Sequence, residues 1–154
     1  MRTTVTLDKA VAAAVARLEA DLVINCAVVG VDECERDPAL AHAINVEGPR
    51  NLARRAPGII HFSTNYVLDP VNVYGRTKLE GERAVLEANP DALVIRTSWV
   101  FGPGKDNFLS TVASRLARGE RVRAITDIRA STTYVEDLVT RVLEMSGRSG
   151  VHAV

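Results

Sequence analysis

The sequence predicts an α/β domain built on a mostly parallel, doubly wound sheet with helices on both faces. Three observations lead there. The short apolar runs DLVINCA (21–27), GIIHFS (58–63) and ALVIRTS (92–98) are each bounded by polar residues, as buried strands are. Segments of helical length and periodicity separate them. Strands joined by helices of this length form right-handed crossovers, and these make a parallel sheet. The chain has 154 residues, which suits one domain spanning 1–154, and 47% hydrophobic residues supply its core.

Each element has a local reason. Residues 8–20, DKAVAAAVARLEA, are alanine-rich with Val11, Val15 and Leu18 on one side, an amphipathic helix. The strand DLVINCA follows. Asp37 can cap and Pro38 fits a first turn, so a helix is expected from about 38 to 55. After the strand 58–63, a helix runs from roughly 73 to 88 and stops near Asn89-Pro90. The strand 92–98 is followed by a helix from Asn107 to Ala117, with Gly119 past its end. Arg121 to Ile125 reads as a strand, Tyr134 to Met145 as a helix, and GVHAV as a last short strand.

Composition removes several function classes. Nineteen basic and nineteen acidic side chains give a net charge of zero, which argues against broad electrostatic binding to nucleic acid or an anionic membrane. Cys26 and Cys34 stand eight apart, which excludes a CxxC redox pair or a four-ligand cysteine site. They read as small packing residues in a reducing, cytoplasmic setting. His42, His61 and His152 are scattered, so no metal site is expected. The alanine-rich start is interrupted by Lys9, Arg17, Glu19 and Asp21, so neither a signal peptide nor a membrane span is expected. Glu33, Glu35 and Asp37 read as a solvated acidic loop, and Arg50, Arg54 and Arg55 as a solvated helix face. Gly102-Pro103-Gly104-Lys105 lacks the Walker spacing and reads as a turn.

Ligands of parallel sheets sit beyond the carboxyl ends of the strands. Those ends carry Asn25, Cys26 and Ala27, then Ser63 and Thr64, then Thr97, Ser98 and Trp99. The helix NVYGRTKLEGERAV (72–85) adds Tyr74 and Lys78, neighbours on one face at i and i+4. A free tyrosine ionises near about pH 10, and a nearby ammonium favours the phenolate. Such a phenol can donate a proton to a carbonyl oxygen while hydride arrives at the carbon. On the pair alone, a buried tyrosine and a surface lysine on an ordinary helix is the simpler reading. The strand-end hydroxyls, in this order along the chain, are harder to explain as packing.

Together with VDECERDP (31–38), AINVEGPRNLAR (43–54), HFSTNYVLD (61–69), IRTSWVFGPGKDNF (95–108) and ASTTYVEDL (130–138), these segments resemble the extended short-chain dehydrogenase/reductases. The likeness is strongest to the dTDP-4-dehydrorhamnose reductase group. It implies a Rossmann-like fold, NADPH or NADH as cofactor, and reduction of a 4-keto nucleotide sugar. It implies Tyr74 as proton donor, Lys78 as its electrostatic partner and ribose ligand, and Thr64 as the residue orienting the carbonyl. Cys26, Ala27, Asn45 and Ser63 would line the cofactor, and Tyr66, Trp99 and Asn107 the sugar nucleotide. Asn45 reads equally as an internal helix hydrogen bond, and Trp99 as core.

The likeness breaks in places. The family pattern opens with a strand, a Gly-x-x-Gly-x-x-Gly turn and a helix, and no glycine precedes Gly30 here. The sheet is therefore expected to be incomplete at its N-terminal side, with an exposed edge that favours a homo-oligomer. Only Pro70 and Val71 separate YVLD from NVYG, where the family has a longer loop, and the chain stops at GVHAV. Asn65 replaces the family's Asp, and Thr132 its Pro. These departures predict doubtful activity for this chain alone, and leave a noncatalytic nucleotide- or partner-binding module as the alternative.

Overall fold

The computed structural model describes residues 8–104, 108–123 and 130–154. Helix α1 (Asp8–Leu18) leads into strand β1 (Leu22–Asn25). Helices α2 (Val31–Arg36) and α3 (Pro38–His42) follow, then a π-helical turn (Ala43–Glu47) and helix α4 (Gly48–Arg55). Strand β2 (Gly58–Thr64), a 3-10 turn (Asn65–Val67), helix α5 (Val73–Ala88) and strand β3 (Leu93–Thr97) form the centre. The remainder is β4 (Trp99–Phe101), α6 (Phe108–Ala117), β5 (Thr132–Tyr134), α7 (Val135–Glu144) and β6 (Gly150–Ala153).

The main sheet has the order β1-β2-β3-β6, all parallel. Alternation along the strands separates two cores. Ile59 and Val94 pack with Ala53 and Val85 on the side of α4 and α5. Ile60, Leu93 and Ile95 pack with Leu138 and Val142 of α7 on the other. Helices thus cover both faces, as the apolar strand runs predict. Coverage is uneven: Leu22 and Ile24 of β1 remain 42% and 51% exposed, and among the described residues β1 has a partner along one edge only.

Several expectations are corrected. The acidic stretch at 31–36 is helical rather than a loop, because its one buried residue, Cys34, anchors it in a cluster with Val29 and Ala41. The helix expected over 38–55 is interrupted by the π turn, which contains the buried Asn45 and Val46. Arg50 of its exposed face is ion-paired with Glu47 rather than simply solvated. Residues 121–123 form no strand, and the rest of the strand expected at 121–125 lies outside the described residues. Trp99–Phe101 pairs with Thr132–Tyr134 in a second, two-stranded sheet that the sequence did not reveal. No helix among the described residues is long and apolar enough to cross a membrane.

Candidate active site

Strand ends and the start of α5 build the site. The register places Thr64 beside Thr97 and Asn25 beside His61. Thr64 ends β2 because its hydroxyl accepts the Tyr66 amide at 3.3 Å and caps the turn that follows. Asn72 starts α5 by accepting the Gly75 amide at 2.7 Å. Tyr74 therefore lies in the first turn and Lys78 one turn further on.

Two clefts meet at these residues. One, of about 440 Å3, is bordered by Cys26, Ala27, Phe62, Ser63, Tyr74 and Lys78. The other, of about 320 Å3, is bordered by Gly30, Ser63, Thr64, Tyr66, Tyr74 and Trp99. Ser63 and Tyr74 border both. Tyr66 meets Tyr74 edge to face, with ring centroids 5.6 Å apart.

Tyr74 and Thr64 border the same cleft, and the Thr64 hydroxyl acts on the Tyr74 phenol. Burial pushes its phenol above the usual value, and the Thr64 hydroxyl pulls it back in part. This corrects one expectation: Lys78 is not what lowers the Tyr74 phenol. The Lys78 ammonium donates to the Phe62 carbonyl at 2.5 Å, and burial brings the lysine down to about 8. Tyr74 is thus kept protonated, the form a proton donor needs.

Asn45 lies behind these residues. It is wholly buried and is not among the residues that border either cleft. Its Oδ1 accepts the Val29 amide at 3.3 Å, and its Nδ2 donates to the Thr77 hydroxyl at 3.1 Å. Neither bond is internal to its own helix: the partners lie sixteen and thirty-two positions away, so the side chain ties three segments together. Its carbonyl oxygen lies where a Cβ on Gly81 would approach to 2.1 Å, so α5 crosses the π turn at a glycine. Asn107 lies outside the described residues.

Sequence reasoning missed Thr77, Gly81 and the Glu82–Arg96 pair. A glycine inside a strong helical pattern is a signal of close packing, and could have exposed Gly81. Further back, Asn25 donates from Nδ2 to Nδ1 of His61 at 3.0 Å and accepts the Ala27 amide at 3.1 Å, which fixes the turn after β1. Ser63 Oγ is buried without a hydrogen-bond partner among the described residues, and lies where both clefts meet. Among those residues no group of three His, Cys, Asp or Glu could hold a metal.

Parallel strands whose polar ends face paired clefts, beside a helix carrying tyrosine and lysine, define a Rossmann-like domain of the extended short-chain dehydrogenase/reductase type. The chain belongs to the RmlD substrate binding domain family, whose model matches residues 2–151. It is 42% identical to a dTDP-4-dehydrorhamnose reductase of Mycolicibacterium smegmatis, over 81% of this chain and 45% of that protein. It is 38% identical to a probable dTDP-4,6-dihydroxy-2-methyloxan-3-one 4-ketoreductase of Streptomyces antibioticus, over 97% of this chain and 58% of that protein. The crystal structure of a dTDP-4-dehydrorhamnose reductase from Bacillus anthracis in complex with NADP superposes with a TM-score of 0.90 at 29% identity, covering 97% of this chain and 61% of that one. The chain spans about half the length of the curated relatives it matches. The alignment with the Streptomyces protein runs over 170 positions, more than this chain has residues, so that relative carries residues that this chain lacks between matched segments.

Proposed function

We propose that this chain carries the proton-donating part of an NAD(P)H-dependent reductase acting on a 4-keto nucleotide sugar. The observation that carries the reading is the position of Tyr74, which borders both clefts and shares the second with Thr64. The relatives' names support the substrate class, and the NADP complex of the Bacillus anthracis structure supports the cofactor.

The first cleft suits a nicotinamide cofactor. Its floor offers the buried, unpartnered Ser63 hydroxyl and the Lys78 ammonium, and Cys26 and Ala27 form its rim. These residues, with Tyr74, would hold the cofactor, whose nicotinamide supplies hydride when bound. Tyr66 and Trp99 line the second cleft with Thr64, where a sugar nucleotide would lie. Thr64 orients the keto oxygen toward Tyr74. The Tyr74 O–H bond breaks as its proton passes to that oxygen, giving the alcohol, and solvent reprotonates the phenolate. Lys78 stabilises that phenolate once a ligand draws its ammonium from Phe62 toward Tyr74.

The first cleft is open toward β1, where Ile24 and Val28 are more than half exposed. The isolated chain is accordingly expected to bind cofactor weakly and turn over slowly. NADPH consumption with a dTDP-4-keto-6-deoxy sugar tests the reading. Ketone-dependent oxidation of NADPH supports it. Saturable NADPH binding with no reduction at any cofactor concentration would favour the noncatalytic module.

A further inference from the structure

Glu82 follows Lys78 by one turn of α5, and both are 2% exposed. A carboxylate in that position would ordinarily take the ammonium as its partner. Here it does not. Arg96 on β3 occupies both carboxylate oxygens: Nε donates to Oε1 at 2.9 Å and Nη2 donates to Oε2 at 2.6 Å. Lys78 donates to Phe62 instead, two residues before Thr64. Arg96 is in register with Ser63, and Thr97 with Thr64, so the guanidinium stands one residue behind the strand ends of the site.

We propose that Arg96 is a positioning residue: by occupying Glu82, it prevents that carboxylate from drawing Lys78 back along α5, and so keeps the ammonium at the cleft. The proposal rests on the reading of Lys78 as the amine of the site. Three physical facts support it. A guanidinium matches a carboxylate as a two-pronged fork, which a lysine cannot do. It stays charged at any working pH, so Glu82 is never released. Glu82 raises Lys78 by less than burial lowers it, so the lysine stays below its ordinary value.

The test is the side-chain NMR titration of Lys78 in the cofactor-free chain, in Arg96→Met and in Glu82→Gln. In Arg96→Met the freed carboxylate pairs with Lys78, and its midpoint rises by about one pH unit or more. In Glu82→Gln the carboxylate is gone and the guanidinium is uncompensated, so the midpoint falls. Mere loosening of the packing would hydrate Lys78 and raise the midpoint in both variants. Opposite shifts therefore support the proposal, whether or not the chain reduces a ketone. Shifts of the same sign, or none, overturn it. Should Arg96→Met fail to fold by circular dichroism, Arg96→Lys replaces it. Its single prong predicts a smaller rise, and no rise overturns the proposal. A loss of kcat in Arg96→Met with KM unchanged would then tie the placement to turnover.

Discussion

Lys78 Nζ donates to the Phe62 carbonyl oxygen at 2.5 Å, joining α5 to β2 beside the first cleft. The ammonium gains one backbone oxygen but loses nearly all of its water, so burial dominates and the lysine falls from 10.5 to about 8. Between those values the unfolded chain binds the proton more tightly than the folded one. Stability from this group therefore rises with pH across that window, and is lowest below pH 8. Relative to Lys78→Met, the unaltered protein should gain up to about 3 kcal/mol between pH 7 and 10.5. Paired urea titrations at the two pH values measure it; a constant difference between the proteins would show that Lys78 is well solvated.

Gly81 is where α5 touches the π turn. Alanine normally helps a helix by about 1 kcal/mol over glycine. Here its Cβ would approach the Asn45 carbonyl oxygen to 2.1 Å, a backbone atom with no room to move. Gly81→Ala should destabilise by about 1–3 kcal/mol or more. Gly147→Ala, where a Cβ meets nothing within 4 Å, is the control and should be near neutral. Thermal unfolding of both variants checks the contrast.

Asn45 and Thr77 hold that crossing together. Removing the Asn45 side chain leaves the Val29 amide and the Thr77 hydroxyl each without this partner. Thr77 keeps its bonds to the Val73 and Tyr74 carbonyls. Asn45→Ala should therefore cost about 1–3 kcal/mol, most of it from the stranded amide. A double-mutant cycle with Thr77→Val should return a coupling of about 0.5–1.5 kcal/mol. Strict additivity would mean that the 3.1 Å bond contributes nothing.

Ser63 separates stability from binding. The residue is 5% exposed, and its buried hydroxyl has no hydrogen-bond partner among the described residues. Ser63→Ala removes an unsatisfied group and should stabilise the free protein by about 1 kcal/mol. The same change should weaken NADPH binding about 3- to 10-fold, because the cleft loses a donor. Calorimetric unfolding and cofactor titration would be run on one preparation; a variant that is both less stable and equally good at binding would oppose this role.

Much of the fold could be read from the chain because buried parallel strands are continuous apolar runs, and Ile59-Ile60 and Leu93-Val94-Ile95 leave no other place to go. Tyr74 and Lys78 were legible through helical spacing, and Ser63-Thr64 through its place at a strand end. What was not legible depends on contacts far apart in sequence or on backbone atoms. The partner of Lys78 is a carbonyl, which carries no residue signature. Arg96 meets Glu82 across fourteen positions and two elements. The π turn keeps a helical composition, so its extra residue leaves no mark on the pattern. Asn45 read equally as a cofactor residue and as a helix hydrogen bond, and its bonds to the distant Val29 amide and Thr77 hydroxyl left no trace in the spacing.

The role of Tyr74 is tested most directly by single-turnover reduction of a dTDP-4-keto-6-deoxy sugar, with NADPH well above its dissociation constant, in the unaltered chain and in Tyr74→Phe. The rate should fall about 10²- to 10⁴-fold in the variant, with cofactor affinity nearly unchanged. Equal rates in the two proteins would contradict proton donation by this phenol.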